Sequence, residues 1–158
     1  MEVIFSNYAF NMIVSESTTR IESETGGIFL GCYEDEIWYV IESINPGPRA
    51  VFQESYFEYD QQYVQNEINR SAQKYQAILT LIGVWHKHPG SNRTFSIIDD
   101  ITNKEYAKLT KYGTLSILVN MDPDFNMTPY HITLPLVYTI IDYKVGDELI
   151  PKYLFTLK

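Results

Sequence analysis

The sequence is poor in cysteine and in basic residues. Its 158 residues include one cysteine, Cys32, which cannot form an intramolecular disulfide, so we expect a reducing compartment. The 20 acidic residues outnumber the 12 lysines and arginines, which gives a net charge of −8. Because an acidic surface repels phosphate, general binding of nucleic acids is disfavoured, while a role for a local basic patch stays open.

Long hydrophobic runs are also missing. The longest apolar stretches, such as residues 78–85, are far shorter than the roughly 20 residues of a membrane-spanning helix. Glu2 stands where a signal peptide would carry a basic residue, and Asn7 and Asn11 interrupt any apolar segment behind it. We therefore expect a cytoplasmic protein without a membrane partner.

The residues that are present indicate a folded domain. Apolar residues make up 45% of the chain and aromatic residues 15%, which is enough buried surface to offset chain entropy. The length predicts a single domain over residues 1–158.

Hydrophobic periodicity predicts a mixed α+β fold, with a central β-sheet flanked by helices. Strands are predicted at residues 3–6, 28–33, 37–44, 77–85, 115–121, 131–142 and 149–157. Helices are predicted from residue 8 to just before residue 25, from 61 to about 75 after a cap at Asp60, and from 96 to about 111. Residues 49–59 are aromatic but have no clear period.

Two histidines mark the end of the strand predicted at residues 77–85. His86 and His88 are two residues apart, so in an extended chain both side chains point to the same face. Pro89 cannot continue the ladder, so both imidazoles would lie at the carboxyl end of the strand. Two imidazoles on one face are half of a Zn²⁺ site, and Asp99 in the next helix is a candidate third ligand.

Each of these features also has a simpler interpretation. Histidine pairs at strand ends often face solvent and bind nothing. Ser96 and Asp99 have the spacing of a helix N-terminal capping box, and both Asp99 and Asp100 suit a helix N-terminus through the helix dipole. Neither the pair nor the box identifies a metal site by itself.

The combination resembles the signature of the JAB/MPN family, the JAMM-type zinc metalloproteases. The matching residues of the main motif are His86, His88, Pro89, Ser96 and Asp99. The second motif is a glutamate before a Gly-apolar-Gly strand, and here Glu24 precedes the run from Gly26 to Gly31. The resemblance covers roughly residues 8–121. Lys87 departs from the serine or threonine usual at its position, and we expect it to face away from the metal.

The resemblance implies a JAB/MPN-like (cytidine-deaminase-like) fold and a defined site. His86, His88 and Asp99 would hold Zn²⁺, and Glu24 would be the general base and then the general acid. Ser96 would hydrogen-bond near the developing oxyanion. Rival glutamates for the base are Glu16, Glu22 and Glu54. Arg93 and Thr94 lie in the loop over the site without a defined role, and His131 and Cys32 are predicted to be structural.

The resemblance also implies a function. It is strongest to compact prokaryotic JAB peptidases encoded beside E1-like and E2-like proteins, including those of CBASS and related antiphage operons. The expected activity is cleavage after the C-terminus of a ubiquitin-like protein, with that protein or its conjugate as partner and E1/E2-like proteins as further partners. The alternatives are a sulfur-carrier or small-molecule JAB hydrolase, a non-catalytic MPN-type interaction module, and a RadC-like role on DNA.

Overall fold

The computed structural model describes residues 1–158. The strands are β1 Glu2–Phe5, β2 Thr25–Glu34, β3 Ile37–Ile44, β4 Val51–Gln53, β5 Tyr56–Glu58, β6 Thr80–Lys87, β7 Thr114–Asn120, β8 Asn126–Thr133, β9 Val137–Ile140 and β10 Asp142–Val145. The helices are α1 Asn7–Thr19, α2 Gln61–Lys74 and α3 Ile97–Ala107, followed by two 3-10 turns, Asp147–Leu149 and Lys152–Phe155. The predicted α+β class is confirmed. No helix is both long and apolar enough to cross a membrane.

Eight of the strands form one mixed sheet that curls on itself. Their order is β10-β1-β3-β2-β6-β7-β8-β9, with β4 and β5 as a separate hairpin. β9 and β10 lie at opposite ends of this order, although Ile141 alone separates them along the chain. An open sheet of eight strands would be about 34 Å wide, which one residue cannot span. The two ends of the sheet therefore meet, and Ile141 belongs to the same buried core as Ala9 and Ile13 of α1.

The centre of the sheet determines where the histidines lie. β6 runs between β2, to which it is antiparallel, and β7, to which it is parallel. The register pairs Gly26 with His86 and Thr25 with Lys87. Because residue 24 precedes β2 directly, this register brings Glu24 to the end of β6 that carries His88.

Several boundaries differ from the sequence predictions. The first helix ends at Thr19 instead of just before residue 25, and residues 20–24 form a turn. The strand predicted at 131–142 is interrupted at residues 134–136, where Pro135 cannot donate to a ladder. β6 begins at Thr80 rather than at 77, and α3 ends at Ala107 rather than near 111.

One further prediction is wrong, and one segment for which no element was predicted has regular structure. The sequence predicts a strand over residues 149–157, but they hold the end of one 3-10 turn and all of a second, which packs Leu154 into the core. Pro151 caps the second turn, and its fixed φ and missing N–H favour such a turn over a strand. Residues 49–59, which lack a clear period, form the β4–β5 hairpin.

Candidate metal centre

The histidine pair lies at the buried end of the central strand. The side chains of His86 and His88 are almost fully buried, and the His88 N–H extends the ladder by donating to the Val119 carbonyl at 3.1 Å. The Nδ1 atoms of both rings have no hydrogen-bond partner. Of these two nitrogens, His86 Nδ1 faces Asp99, whereas His88 faces the same carboxylate with its Nε2. Because buried polar atoms are nearly always paired, the unpaired His86 Nδ1 indicates a group that the protein atoms do not supply.

Asp99 lies between the two imidazoles. Its Oδ1 is 3.4 Å from His86 Nδ1, and its Oδ2 is 3.1 Å from His88 Nε2. Burial favours the neutral acid, but the hydrogen bonds and charges of the histidines and the Ser96 N–H outweigh it and lower the pKa of Asp99 to about 2. The site therefore holds a carboxylate between two rings.

A capping box fixes the position of this carboxylate. Ser96 is the N-cap of α3, and its Oγ accepts from the Asp99 N–H at 3.1 Å. In return, Asp99 Oδ2 accepts from the Ser96 N–H at 2.8 Å. The box that the spacing offered as an alternative to a metal site is therefore real, and it orients the Asp99 carboxylate toward the histidines. The adjacent Asp100 instead accepts a hydrogen bond from the Tyr138 hydroxyl.

Glu24 completes the cluster from the opposite strand. Its Oε1 is 3.7 Å from His88 Nε2, and its backbone N–H donates to the Gln53 carbonyl of β4 at 2.9 Å. Burial, with a smaller contribution from the Asp99 charge, raises the pKa of Glu24. Among the rival glutamates, Glu22 is exposed and Glu16 accepts a hydrogen bond from Thr25.

The electrostatics of the two rings differ. Burial lowers the pKa of His86, which favours the neutral form of this ring. Burial also opposes protonation of His88, but the carboxylates of Asp99 and Glu24 raise its pKa overall.

A glycine allows β2 to approach β6 closely. A Cβ on Gly26 would lie 2.3 Å from the Trp85 carbonyl oxygen and 3.1 Å from His86 Cδ2. Any larger residue at this position would push the two strands apart and separate the Glu24 side of the site from the histidine side.

The donor set fits a bound metal. Donor atoms of Glu24, His88 and Asp99 lie within 4.8 Å of one another, and His86 reaches the cluster through Asp99. Ligands about 2 Å from a tetrahedral ion lie roughly 3.3 Å apart. Asp99 approaches the two rings at similar distances but with different oxygens, Oδ1 at 3.4 Å from His86 and Oδ2 at 3.1 Å from His88. The tightest triple includes Glu24 rather than His86, so the predicted division into ligands and base stays a prediction.

The site opens into a cleft between α3 and the β4–β5 hairpin. Glu24, His86, Ser96 and Asp99 lie at its polar end. Its apolar wall consists of Tyr56, Phe57, Tyr59, Val84, Ile98 and Tyr106. A second, polar opening is lined by Glu54, Ser55, His88, Pro89 and Asn92, and shares Glu24 and Ser96.

The remaining candidates lie outside the centre. Arg93 and Thr94 are exposed, and Thr94 bonds to Asn92. His131 bonds to the Tyr112 carbonyl oxygen at 2.6 Å, far along the sheet. Cys32 is half-buried in a second core, where burial raises its thiol pKa to about 11.

Sequence reasoning missed the hairpin residues of the cleft, because residues 49–59 have no period that would place them. Their density of aromatic residues was the one available signal.

Fold and site together define a class, the mixed α+β domains that carry a histidine–carboxylate centre at the end of a sheet strand. The family described as prokaryotic homologs of the JAB domain matches residues 6–133, which include every residue of the centre. The chain belongs to this family, which confirms the resemblance found in the sequence.

One curated protein and one solved structure complete the comparison. The chain is 33% identical to "Probable metalloprotease y4qB" of Sinorhizobium fredii over 69 residues. That match spans 43% of this chain and 42% of the relative, less than half the length of each. Protein DSY2949 of Desulfitobacterium hafniense, known from a solution structure, superposes with a TM-score of 0.62 at 10% identity. The superposition covers 90% of this chain and 92% of that one, and at this identity it concerns the fold alone.

Proposed function

We propose that this chain is a zinc-dependent peptidase that cleaves the amide bond after the C-terminal residue of a ubiquitin-like protein. The observation that carries the proposal is the buried Asp99 carboxylate between His86 and His88, with Glu24 beside them at the polar end of an open cleft. Family membership and the relative described as a probable metalloprotease support a peptidase.

Zinc is the metal that best suits these donors. Two imidazoles and one carboxylate, with one position left open, form the donor set of catalytic zinc sites, whereas a structural zinc is normally closed by a fourth protein ligand. A bound zinc supplies an acidified water and polarises the carbonyl of the scissile bond.

Glu24 moves the proton in this proposal. Burial raises its pKa, so its carboxylate is a better proton acceptor than an exposed glutamate. After accepting a proton from the attacking water, Glu24 donates it to the leaving amine. Ser96 lines both openings of the cleft, and its hydroxyl proton is free to be donated toward the developing oxyanion, because its Oγ only accepts from Asp99.

The cleft suits an extended polypeptide. The two-stranded β4–β5 hairpin forms one wall and can add a substrate strand to its edge, while aromatic residues such as Phe57 and Tyr106 contact the substrate side chains. A ubiquitin-like protein with an extended tail and a small terminal residue matches these walls. We propose its conjugates, and the E1/E2-like proteins of an antiphage conjugation system, as the partners.

The test compares Glu24→Gln with Glu22→Gln, an exposed position two residues away. The substrates are C-terminal aminomethylcoumarin amides of ubiquitin and of the ubiquitin-like proteins encoded in the same genome. We expect the zinc-loaded protein to release the fluorophore, and Glu24→Gln to lower kcat by at least about 100-fold with one zinc retained. Glu22→Gln should match wild type.

Two results would refute the proposal. One is a wild-type protein that binds zinc but hydrolyses none of these substrates. The other is a Glu24→Gln protein with unchanged kcat, which would require a different base.

A further inference from the structure

Lys87 is a buried lysine between the two histidines. Its side chain has no solvent exposure, although the chain has a net charge of −8 and no shortage of exposed acids. As expected from strand alternation, it faces away from His86 and His88. Its Nζ donates to the carbonyl oxygens of Arg20, of Ile21 at 2.9 Å and of Ser23 at 2.8 Å.

These three carbonyls belong to the turn that leads into Glu24. α1 ends at Thr19 and β2 begins at Thr25, so residues 20–24 have no helix or sheet ladder of their own. Lys87 holds this turn from one side, and the Glu24 N–H bond to Gln53 holds it from the other. A serine or threonine at position 87 is too short to span this distance.

A lysine that only stabilised the turn at residues 20–24 would not need to lie between the two histidines. Lys87 lies directly between two proposed metal ligands and pairs with Thr25, the residue after Glu24. One strand therefore sets both the histidine positions and the backbone that presents the glutamate.

We propose that Lys87 is a positioning residue for Glu24, which it holds at the distance from His88 that proton transfer requires. This inference rests on the proposed peptidase function. Lys87 would contact neither the metal nor the substrate, and it would act on Glu24 through the backbone of residues 20–23.

The test replaces Lys87 with methionine, which keeps the apolar stem and removes the three donors. The matched control is Lys158→Met, which removes an exposed lysine bond to the Ala72 carbonyl oxygen. We expect hydrogen exchange of the Glu24 amide, whose N–H donates to the Gln53 carbonyl, to rise at least about tenfold in the zinc-loaded Lys87→Met protein, with zinc content unchanged. With the coumarin substrate, kcat should fall about 10- to 100-fold while KM stays within about twofold.

A double variant separates positioning from stability. If Lys87 acts through Glu24, adding Lys87→Met to Glu24→Gln should cost no further activity. Additive losses, unchanged exchange of the Glu24 amide, or loss of zinc would overturn the inference. If Lys87→Met does not fold, Lys87→Gln, which retains an amide donor on a shorter stem, is put through the same comparisons. An inactive wild type would refute the peptidase proposal, and the exchange rates would then decide by themselves whether Lys87 anchors the turn.

Discussion

Asp99 and Asp100 offer a sharp test of the candidate centre, because they are adjacent and chemically identical. Asp99 is buried and faces both imidazoles, whereas Asp100 accepts a hydrogen bond from the Tyr138 hydroxyl. Asp99→Asn should therefore lose zinc affinity, and Asp100→Asn should keep it.

The structure predicts the effects of these two substitutions on the free energy of unfolding separately from their effects on zinc affinity. Asparagine at position 99 keeps an oxygen for the Ser96 N–H, so the helix cap is retained. Loss of the carboxylate charge, whose interactions lower the Asp99 pKa to about 2, should decrease the free energy of unfolding of the metal-free protein by about 2 kcal/mol at neutral pH. The amide oxygen introduced by Asp100→Asn would still accept from Tyr138, with a cost of about 1 kcal/mol. Zinc affinity should respond more strongly than stability. Changes to residues that only support metal ligands already lower metal affinity by about 10- to 100-fold. Loss of the charged ligand should cost at least about 100-fold.

The assay is competition for zinc against a chelator of known affinity, with thermal unfolding of the metal-free proteins as the control for folding. If Asp100→Asn loses zinc while Asp99→Asn keeps it, the phase of α3 is wrong and the ligand assignment falls. Equal small losses in both variants would mean that neither carboxylate binds the metal.

Three further results are expected. His86→Ala should lose zinc while His131→Ala keeps it, as measured by metal analysis, because His131 bonds only to a carbonyl far from the site; zinc bound equally by both variants would contradict the assignment. Gly27→Ala should lower the free energy of unfolding by about 2 to 3 kcal/mol, as measured by urea titration, because the alanine Cβ would lie 2.4 Å from Trp85 Nε1. A variant as stable as wild type would contradict the close packing of β2. In the metal-free protein, the ionised Asp99 carboxylate stabilises the fold at pH values above its ordinary pKa of 3.8, and this contribution is lost as the pH falls toward about 2. Asp99→Asn should remove this part of the dependence of unfolding free energy on pH. An unchanged dependence in the variant would contradict the prediction.

The sequence predicts most of the elements around the site, because their signals are local. Ile37–Ile44 is predicted with its observed bounds, and Asp60 and Ser96 are the predicted N-caps. The charged turn before β3 is also correct, with positive φ at both Asp35 and Glu36. In each case the deciding interactions lie within a few residues of one another.

The features that no sequence pattern indicated depend largely on contacts between residues that are far apart in the chain. Closure of the sheet depends on Ile141, whose neighbours in the core lie far away in sequence, and no period indicates a bend there. The short β4–β5 strands depend on each other and on the Glu24 N–H. The partners of Lys87 are backbone carbonyls, which every residue has, so no side-chain pattern could identify them.

The aspartate at position 99 has two roles, capping of α3 and the proposed metal binding, and the sequence alone could not distinguish them. As the N3 residue of α3, Asp99 accepts the Ser96 N–H with Oδ2, and this bond fixes the plane of its carboxylate. The same orientation directs Oδ1 toward His86 and keeps Oδ2 beside His88. A cap that orients the carboxylate in the absence of metal reduces the side-chain entropy lost when the metal binds. The capping box and the proposed metal site are thus compatible interpretations of the Ser-x-x-Asp motif, because the cap holds the carboxylate in the orientation that the proposed three-ligand site needs.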